Sequence, residues 1–497
     1  MIIGFNHDYY LRFDNKRTIL ASNPEAVQEK GLSDWISRIH PIYSMLFALL
    51  SKPQKKEDAE SKIADFFGIS FENSKKIIDR FLYKKGVIIG KYGDQMSYFP
   101  ENIIRIYDQQ DEPEILFGEK SDTKVYKPSE FIFSEVDLES RRMMKCPHGL
   151  VFVVTTVCAT QCIYCYADKS LNCNRFLDLR EIERVLREAR ILGIREIQMI
   201  GGEFFLHPQW YEILFIAREL GFTIPLISTK LPLSEVELIK FKEFNIRLQF
   251  SLDSVDPNVL SNILKVNQSY TRQILTSIRM ADKLGLKYKV ATVLTRETAN
   301  CKNLSELYHE LEGLENLNVW SIRLVFRSLY SSYRFEDIRV QKRQYDNLYN
   351  WYNGIKEINN IYIDFPENYR TNYKYAEGGS ENFKGARCSA NMSHMVILPD
   401  GKVTICEQLY WNPRFIIGNI HESSIDKIWN TPKALLLSRW QKKDIQEQSN
   451  CSKCSVYETC RDFSNKCYVN TIRAYGNDNW DYPDPRCSQA PPYINDI

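Results

Sequence analysis

The placement of its cysteines constrains this chain more than any other feature. There are thirteen, and ten fall in two groups: Cys158, Cys162 and Cys165 in one, and Cys388, Cys406, Cys451, Cys454, Cys460, Cys467 and Cys487 in the other. A secreted disulfide scaffold is usually short with an even cysteine count, whereas this chain has 497 residues and an odd count. Met1 to Tyr10 lacks the basic stretch, apolar run and small-residue cleavage site of a signal peptide. Tightly spaced cysteines in a reducing compartment read as ligands of metal or iron–sulfur centres. The scattered Cys146, Cys173 and Cys301 read as small buried apolar residues.

Charge and hydropathy narrow the partners. Lys and Arg number 65 against 63 Asp and Glu, so no chain-wide basic field favours nucleic acid or an anionic membrane. No apolar stretch approaches the roughly 20 residues of a membrane span. A cytoplasmic protein with neither a nucleic-acid nor a membrane partner is expected.

The pattern divides the chain into residues 1–100, a polar connector over 101–145, a core over 146–375 and a cysteine-rich end over 376–497. In the first part, Tyr9–Phe13 and Thr18–Ala21 read as a hairpin around Asp14-Asn15-Lys16. Helical patterns follow: one centred on Ile42–Leu50, one over Glu57–Phe67, and one after Ser70 with Ile77, Ile78, Phe81 and Leu82 on one face and Gly86 as its C-cap. Val87-Ile88-Ile89 reads as a closing strand, giving a small winged-helix α+β domain. In the connector, Ile115–Phe117 and Phe131–Phe133 read as short strands.

From Leu150 the period changes. Val151–Val157, Glu196–Ile200, Thr223–Ser228, Ile246–Leu252, Tyr288–Leu294 and Val319–Phe326 read as strands, with helical stretches between them that include Leu179–Leu192. About six βα units imply a parallel sheet with right-handed crossovers, hence an α/β fold: a partial (β/α)6 barrel with its chemistry on the loops after the strands. The last part follows a loop containing Gly378, Gly379 and Gly385. It is rich in Cys, Asn, Asp and Pro, which suits a small core held by metal clusters.

Cys158-Ala-Thr-Gln-Cys162-Ile-Tyr164-Cys165 directly follows the first strand. Three thiolates hold three irons of a [4Fe-4S] cube and leave the fourth open for an amine and a carboxylate, whereas structural zinc usually takes four ligands. Gly201-Gly202-Glu203 follows the second strand, where glycines admit close backbone approach to a ligand and a carboxylate accepts from an ammonium.

Together these residues resemble the radical SAM superfamily, whose CxxxCxxC loop carries an aromatic residue before the third cysteine, here Tyr164. The family's GGEP motif matches Gly201, Gly202 and Glu203, with Phe204 in place of proline. Ser228-Thr229-Lys230 and Ser251-Leu252-Asp253 look like the further strand ends that contact S-adenosylmethionine (SAM), with Ser228 and Ser251 as the chosen contacts. Lys265 stands near where relatives carry an arginine for the SAM carboxylate. The resemblance implies that a reduced cluster splits SAM to a 5′-deoxyadenosyl radical that abstracts hydrogen from carbon.

The later cysteines resemble the SPASM extension, which binds two auxiliary [4Fe-4S] clusters. By that resemblance Cys451, Cys454, Cys460 and Cys487 hold one, and Cys388, Cys406 and Cys467 the other. The Cys460–Cys467 gap is longer than usual, and the second group lacks a fourth cysteine. Either Glu407 fills that place or one iron is open to substrate. Zinc ribbons from the same cysteines are the rival reading.

The first domain resembles the PqqD-like recognition element of natural-product maturases, which takes a leader peptide as an added strand. Its rival is a DNA-binding winged helix. Lys75, Lys76, Arg80, Lys84 and Lys85 favour that rival, while Glu72 and Asp79 dilute it.

The resemblances imply a radical SAM maturase of a ribosomally made peptide that forms an intramolecular thioether or carbon–carbon crosslink. Its partners are a precursor peptide with a leader and a flavodoxin- or ferredoxin-type reductant. Alternatives are a peptide epimerase, an anaerobic sulfatase-maturating enzyme and a zinc-stabilised binding protein. No residue is singled out as a catalytic base.

Overall fold

A computed structural model describes residues 1–24, 26–27, 33–107, 124–168, 176–357, 360–369, 388–462 and 466–495. Ile115–Phe117, Cys173, Gly378, Gly379 and Gly385 lie outside the described residues. The chain forms two compact units, Met1–Cys146 and Pro147–Ile497.

In the first unit, Tyr9–Phe13 pairs antiparallel with Thr18–Ser22 around Asn15, whose φ of 60° suits the tight turn. Thr18–Ser22 also pairs with Ile36–Ile39, which the sequence reading passed over. Helices Pro41–Leu49, Lys56–Phe67 and Phe71–Tyr83 follow. Ser70 caps the third by accepting from the Asn73 N–H. That helix ends at Tyr83 with Lys84 extended, so Gly86 lies beyond the cap, at positive φ. Ile88–Tyr92 and Gln95–Phe99 form a wing hairpin, completing a helix–helix–helix–hairpin order.

Ile2–Phe5 pairs with Ile104–Tyr107 at the margin of this unit. Its core joins Phe5, Phe47, Ile63, Ile78, Phe81 and Phe99, all almost fully buried. The described part of 101–145 packs into the same unit. Arg17 donates to the Arg142 carbonyl at 2.6 Å, and the buried Asp14 accepts from the N–H groups of Met144 and Lys145. Phe131 ends a 3₁₀ turn (Pro128–Phe131) rather than opening a strand.

The second unit carries the expected βα alternation. Leu226–Thr229, Arg247–Ser251, Tyr288–Leu294, Leu317–Leu324 and Ile363–Asp364 form one parallel sheet. Glu196–Ile200 pairs parallel with Gly149–Val153, and a bridge from Glu196 to Thr223 brings it to that sheet. The strands alternate, as in Tyr288–Leu294, where residues 288, 290, 292 and 294 are buried and the three between are half-buried. This is the pattern of a barrel whose outer face is covered by helices and whose inner face is open. Helix Leu179–Ile191 shows the covering: Asp178 caps it, and it buries Ile182, Val185, Leu186 and Ala189.

The cysteine-rich end continues this sheet. His394–Ile397 lies parallel against Gly149–Val153, followed by antiparallel Lys402–Thr404 and Ile416–Asn419. Glu196 accepts from His394 at 3.4 Å and lies 3.9 Å from His148 at the start of the first strand. Burying an apolar pair of strand faces of this kind is worth about 25 cal/mol per Å². Among the described residues, no helix is long and apolar enough to cross a membrane.

Candidate functional site

The cysteine loop leaves the first strand of the barrel and is held on both sides by backbone. The N–H groups of Gln161 and Ile163 donate to the carbonyls of Leu264 and Ile263 at 2.8 and 2.9 Å. These carbonyls sit at the end of helix Pro257–Leu264, where last-turn acceptors have no partner within the helix. On the other side, the Gly202 N–H donates to the Thr155 carbonyl at 2.8 Å and the Glu203 N–H to the Val157 carbonyl at 2.7 Å. A Cβ on Gly202 would lie 2.2 Å from the Val157 oxygen, and one on Gly201 2.8 Å from the Thr155 oxygen. The two glycines therefore serve an approach to the cysteine loop itself.

Thr160 joins two of the thiols, with its hydroxyl 3.6 Å from Cys158 Sγ and 3.1 Å from Cys162 Sγ. Burial pushes the Cys162 thiol up, and the Lys230 ammonium pulls against it. Glu203 is buried and spans to the next strand, accepting from the N–H groups of Lys230 at 2.8 Å, Leu231 at 3.2 Å and Phe205 at 3.4 Å. Its carboxyl is raised by burial against these donors.

The selected Tyr164 meets Lys230 and Asp253, which the sequence presents at two strand ends but which were not among the expected contacts. Lys230 Nζ donates to the Tyr164 hydroxyl at 3.0 Å and pairs with Asp253 at 3.3 Å, while the Tyr164 hydroxyl donates to the same carboxylate. Asp253 is fully buried, accepts from the Val293 N–H at 2.8 Å, and its carbonyl accepts from Asn303. Burial, then Asp253, drives the Tyr164 hydroxyl far above its ordinary range. The selected Ser228 is exposed and accepts from Gln249 at 2.7 Å, while Ser251 is half-buried on the inner face. Lys265 ends its helix at a φ of 57° with its ammonium 5.8 Å from the Tyr333 ring, beside a recess lined by Tyr164, Arg327, Ser331 and Tyr333. The detectable signal was two opposite charges at the ends of neighbouring parallel strands.

The later cysteines form two further sites. Cys451, Cys454, Cys460 and Cys487 line one cavity with Lys466, Tyr457, Tyr468 and Trp480. Lys466 lies over the Tyr468 and Trp480 rings, and burial lowers its pKa to about 8. Cys388, Cys406 and Cys467 form the other: burial, then Cys467, raises the Cys388 thiol to about 11, and Cys406 feels Glu407, Cys467 and Cys388 beyond burial. Among the described residues no three His, Cys, Asp or Glu side chains converge on a single-ion point. Cys451, Cys454, Cys460 and Cys487 instead surround a volume, which suits a cluster several ångströms across.

The matches agree with this geometry. Residues 152–306 match the radical SAM superfamily, and residues 388–455 match SPASM, an iron–sulfur cluster-binding domain. Over those residues the chain carries a radical SAM domain and a SPASM domain. A radical SAM domain binds SAM and a [4Fe-4S] cluster, and SPASM binds auxiliary clusters; the three cysteine sites fit those groups.

Among relatives, the antilisterial bacteriocin subtilosin biosynthesis protein AlbA of Bacillus subtilis is 24% identical over 326 residues, 62% of this chain and 64% of that one. The 7,8-didemethyl-8-hydroxy-5-deazariboflavin synthase of Synechocystis is 30% identical over 153 residues, 29% of this chain and 48% of that one. The chain thus spans less than two thirds of the length of each. The fold of Streptococcus suis SuiB, crystallised with SAM, superposes with a TM-score of 0.60 at 15% identity, covering 98% of this chain and 100% of that one.

Proposed function

We propose that this chain is a cytoplasmic maturase of a ribosomally made peptide, closing a thioether or carbon–carbon crosslink. The observation that carries the reading is the pairing of His394–Ile397 with Gly149–Val153, which puts the two SPASM cysteine sites in one compact unit with the CxxxCxxC loop. AlbA, named for subtilosin biosynthesis, and SuiB, whose fold was also solved bound to its precursor peptide SuiA, support the choice of substrate.

In this reading Cys158, Cys162 and Cys165 hold the SAM-cleaving cluster, and Cys451, Cys454, Cys460 and Cys487 one auxiliary cluster. Cys388, Cys406 and Cys467 hold the second. Gly201, Gly202 and Glu203 shape the SAM amine site, with Ser228, Ser251, Tyr164 and Lys265 around it. When bound, the reduced cluster and SAM supply a deoxyadenosyl radical that takes hydrogen from the peptide. The chain's own residues orient: Glu203 locks the second and third strand ends, and Lys230 with Asp253 fixes Tyr164 beneath the loop.

The first unit, residues 1–100 with 101–145 packed upon it, is read as the leader-docking element. Ile104–Tyr107 pairs on one side with Ile2–Phe5, and Ile106 is 46% exposed beside a recess lined by Trp35, Leu82 and Val87. An extended leader would add there through main-chain hydrogen bonds. A flavodoxin- or ferredoxin-type protein supplies electrons.

The test is anaerobic incubation of the reconstituted enzyme with reductant, SAM and the short peptide encoded next to its gene. Formation of 5′-deoxyadenosine with a peptide about two daltons lighter supports the crosslink. An unchanged peptide mass with deuterium taken up at an α-carbon would instead make it an epimerase. Unimpaired activity after deletion of the first unit would favour a sulfatase-maturating type.

A further inference from the structure

We infer that the recess beside the cysteine loop takes an acidic side chain of the peptide, an Asp or Glu carboxylate held by Arg327 and Arg334 with Lys265 at the rim. The inference rests on the peptide-maturase reading and adds to it the class of residue that the enzyme demands in its substrate.

The first observation is place. The loop after strand Leu317–Leu324 builds the recess, which holds about 390 Å³ between Tyr164, Phe326, Arg327, Ser331, Tyr333 and Arg334. That lies within the range of about 300–1,000 Å³ typical of ligand sites. Loops after the strands of a parallel barrel surround its reacting centre. Tyr164 belongs to the cysteine loop, so an occupant of the recess lies against that loop.

Second, the walls are set before anything binds. The Ser331 hydroxyl donates to the Ile163 carbonyl of the cysteine loop at 3.0 Å, and the Tyr330 hydroxyl to the Gln408 carbonyl, within the SPASM match, at 3.1 Å. Ser328 Oγ accepts from the N–H groups of Tyr330 and Ser331, both at 3.1 Å. Phe335 and Ile338 anchor the end of the segment by burial, and the Arg296 N–H donates to the Ile338 carbonyl at 2.8 Å. A site ordered in this way loses little entropy when its ligand arrives.

Third, positive charge gathers there in excess. Arg327 pairs with Glu336 at 3.7 Å. Lys265 Nζ lies 5.8 Å from the Tyr333 ring, and among the described residues no carboxylate lies within ion-pair distance of Lys265 or of Arg334. Three cations thus meet one acid, Glu336. Arg473 adds to them from behind the Phe326 wall, 4.3 Å from its ring. A guanidinium offers two parallel N–H groups that match a carboxylate, so the complementary ligand is an acid.

SAM also carries a carboxylate, but in the cluster reading its amine and carboxylate share the open iron near Gly201–Glu203. That triplet follows Glu196–Ile200, whereas the recess follows a strand four places further along the sheet. At about 4.8 Å per strand the separation is roughly 19 Å along the curved sheet. The cysteine loop spans it, meeting Glu203 through the Val157 carbonyl and the recess through Ile163 and Tyr164. The recess is therefore left to the peptide.

The experiment uses the full reconstituted chain with reductant, SAM and the peptide encoded next to its gene, and versions of that peptide with each Asp or Glu outside the leader changed in turn to Asn or Gln. One such change raises the KM for peptide about tenfold, the loss of one charged hydrogen bond. Arg334→Gln raises the KM for the unaltered peptide by a similar factor and makes the peptide change immaterial, with the KM for SAM unmoved. Arg334→Glu shows a higher kcat/KM than the parent enzyme on a peptide with Lys at that position, a gain that no misfolded variant can give.

A peptide KM unmoved in both Arg327→Gln and Arg334→Gln overturns the inference. So does a rise in the KM for SAM instead, which gives the recess to the carboxylate of the cofactor. Losses that simply add when peptide and enzyme are both changed place the acid elsewhere, and modification of a peptide with no acid outside its leader removes the need for one. A parent enzyme that forms 5′-deoxyadenosine yet leaves the peptide unmodified would be a different failure, that of the maturase reading.

Discussion

The barrel and the cysteine-rich end belong to one compact unit, yet they are held together in different ways. The barrel strands alternate, with Leu248 and Phe250, or Val290 and Leu294, fully buried beneath helices. Among the described residues, the end around Cys451–Cys487 has helices of no more than eight residues, and its cavity is walled by thiols, aromatic rings and the buried Lys466 and Arg461. Apolar area stabilises the first without help. The second offers thiols and cations, which repay burial only once a cluster is bound. The difference teaches that iron is a structural element in one region and a chemical one in the other.

Several measurements sharpen or break this contrast. The largest effect is expected from Cys451→Ala, which removes one wall of the four-thiol cavity. Limited proteolysis should then cut within 440–490 while the strands from Gly149 to Leu324 stay protected. Equal cutting of the barrel would break the comparison. Gly202→Ala should come next, because its Cβ meets the Val157 oxygen at 2.2 Å. Overpacking costs about 1–3 kcal/mol. Displacement of the loop should reduce 5′-deoxyadenosine formation at least about tenfold, with auxiliary iron retained.

Lys230→Met removes the ammonium from the fully buried Asp253. Breaking a buried pair on one side costs about 3 kcal/mol or more, read as a lower denaturant midpoint. Adding Asp253→Asn should restore part of that loss, because no unpaired charge remains.

The smallest effect concerns pH. The hydrogen bond from His394 holds the Glu196 carboxyl down at about 2, the site where the SPASM strand meets the barrel. A depressed carboxyl contributes stability that is complete above its ordinary pKa, near 4.3, and is lost as pH falls toward 2. His394→Gln should lower stability above that window and flatten the acid-unfolding curve within it, leaving stability at its acid end little altered.

Much of this was legible in the sequence because it depends on local pattern. Glu196–Ile200 and Tyr288–Leu294 appear with the bounds that their β-branched runs predict, and the Cys158–Cys165 loop falls directly after its strand. What escaped depends on partners distant in sequence. Ile2–Phe5 and Ile104–Tyr107 are each four residues long and stabilised by one another, so neither stands out alone. Gly86 reads as a helix cap by composition, but the extended Lys84 had already ended the helix. Lys230 and Asp253 became visible as a pair only when parallel strands set their ends side by side.

The pairing of His394–Ile397 with Gly149–Val153 also affects how the molecule is made. On the ribosome the first barrel strand emerges long before its SPASM neighbour and must wait with one row of amide and carbonyl groups bare. Such an edge invites association with other nascent chains. Synthesis in cells that hold the growing polypeptide on a chaperone should therefore raise the yield of dispersed protein, before any question of iron supply arises.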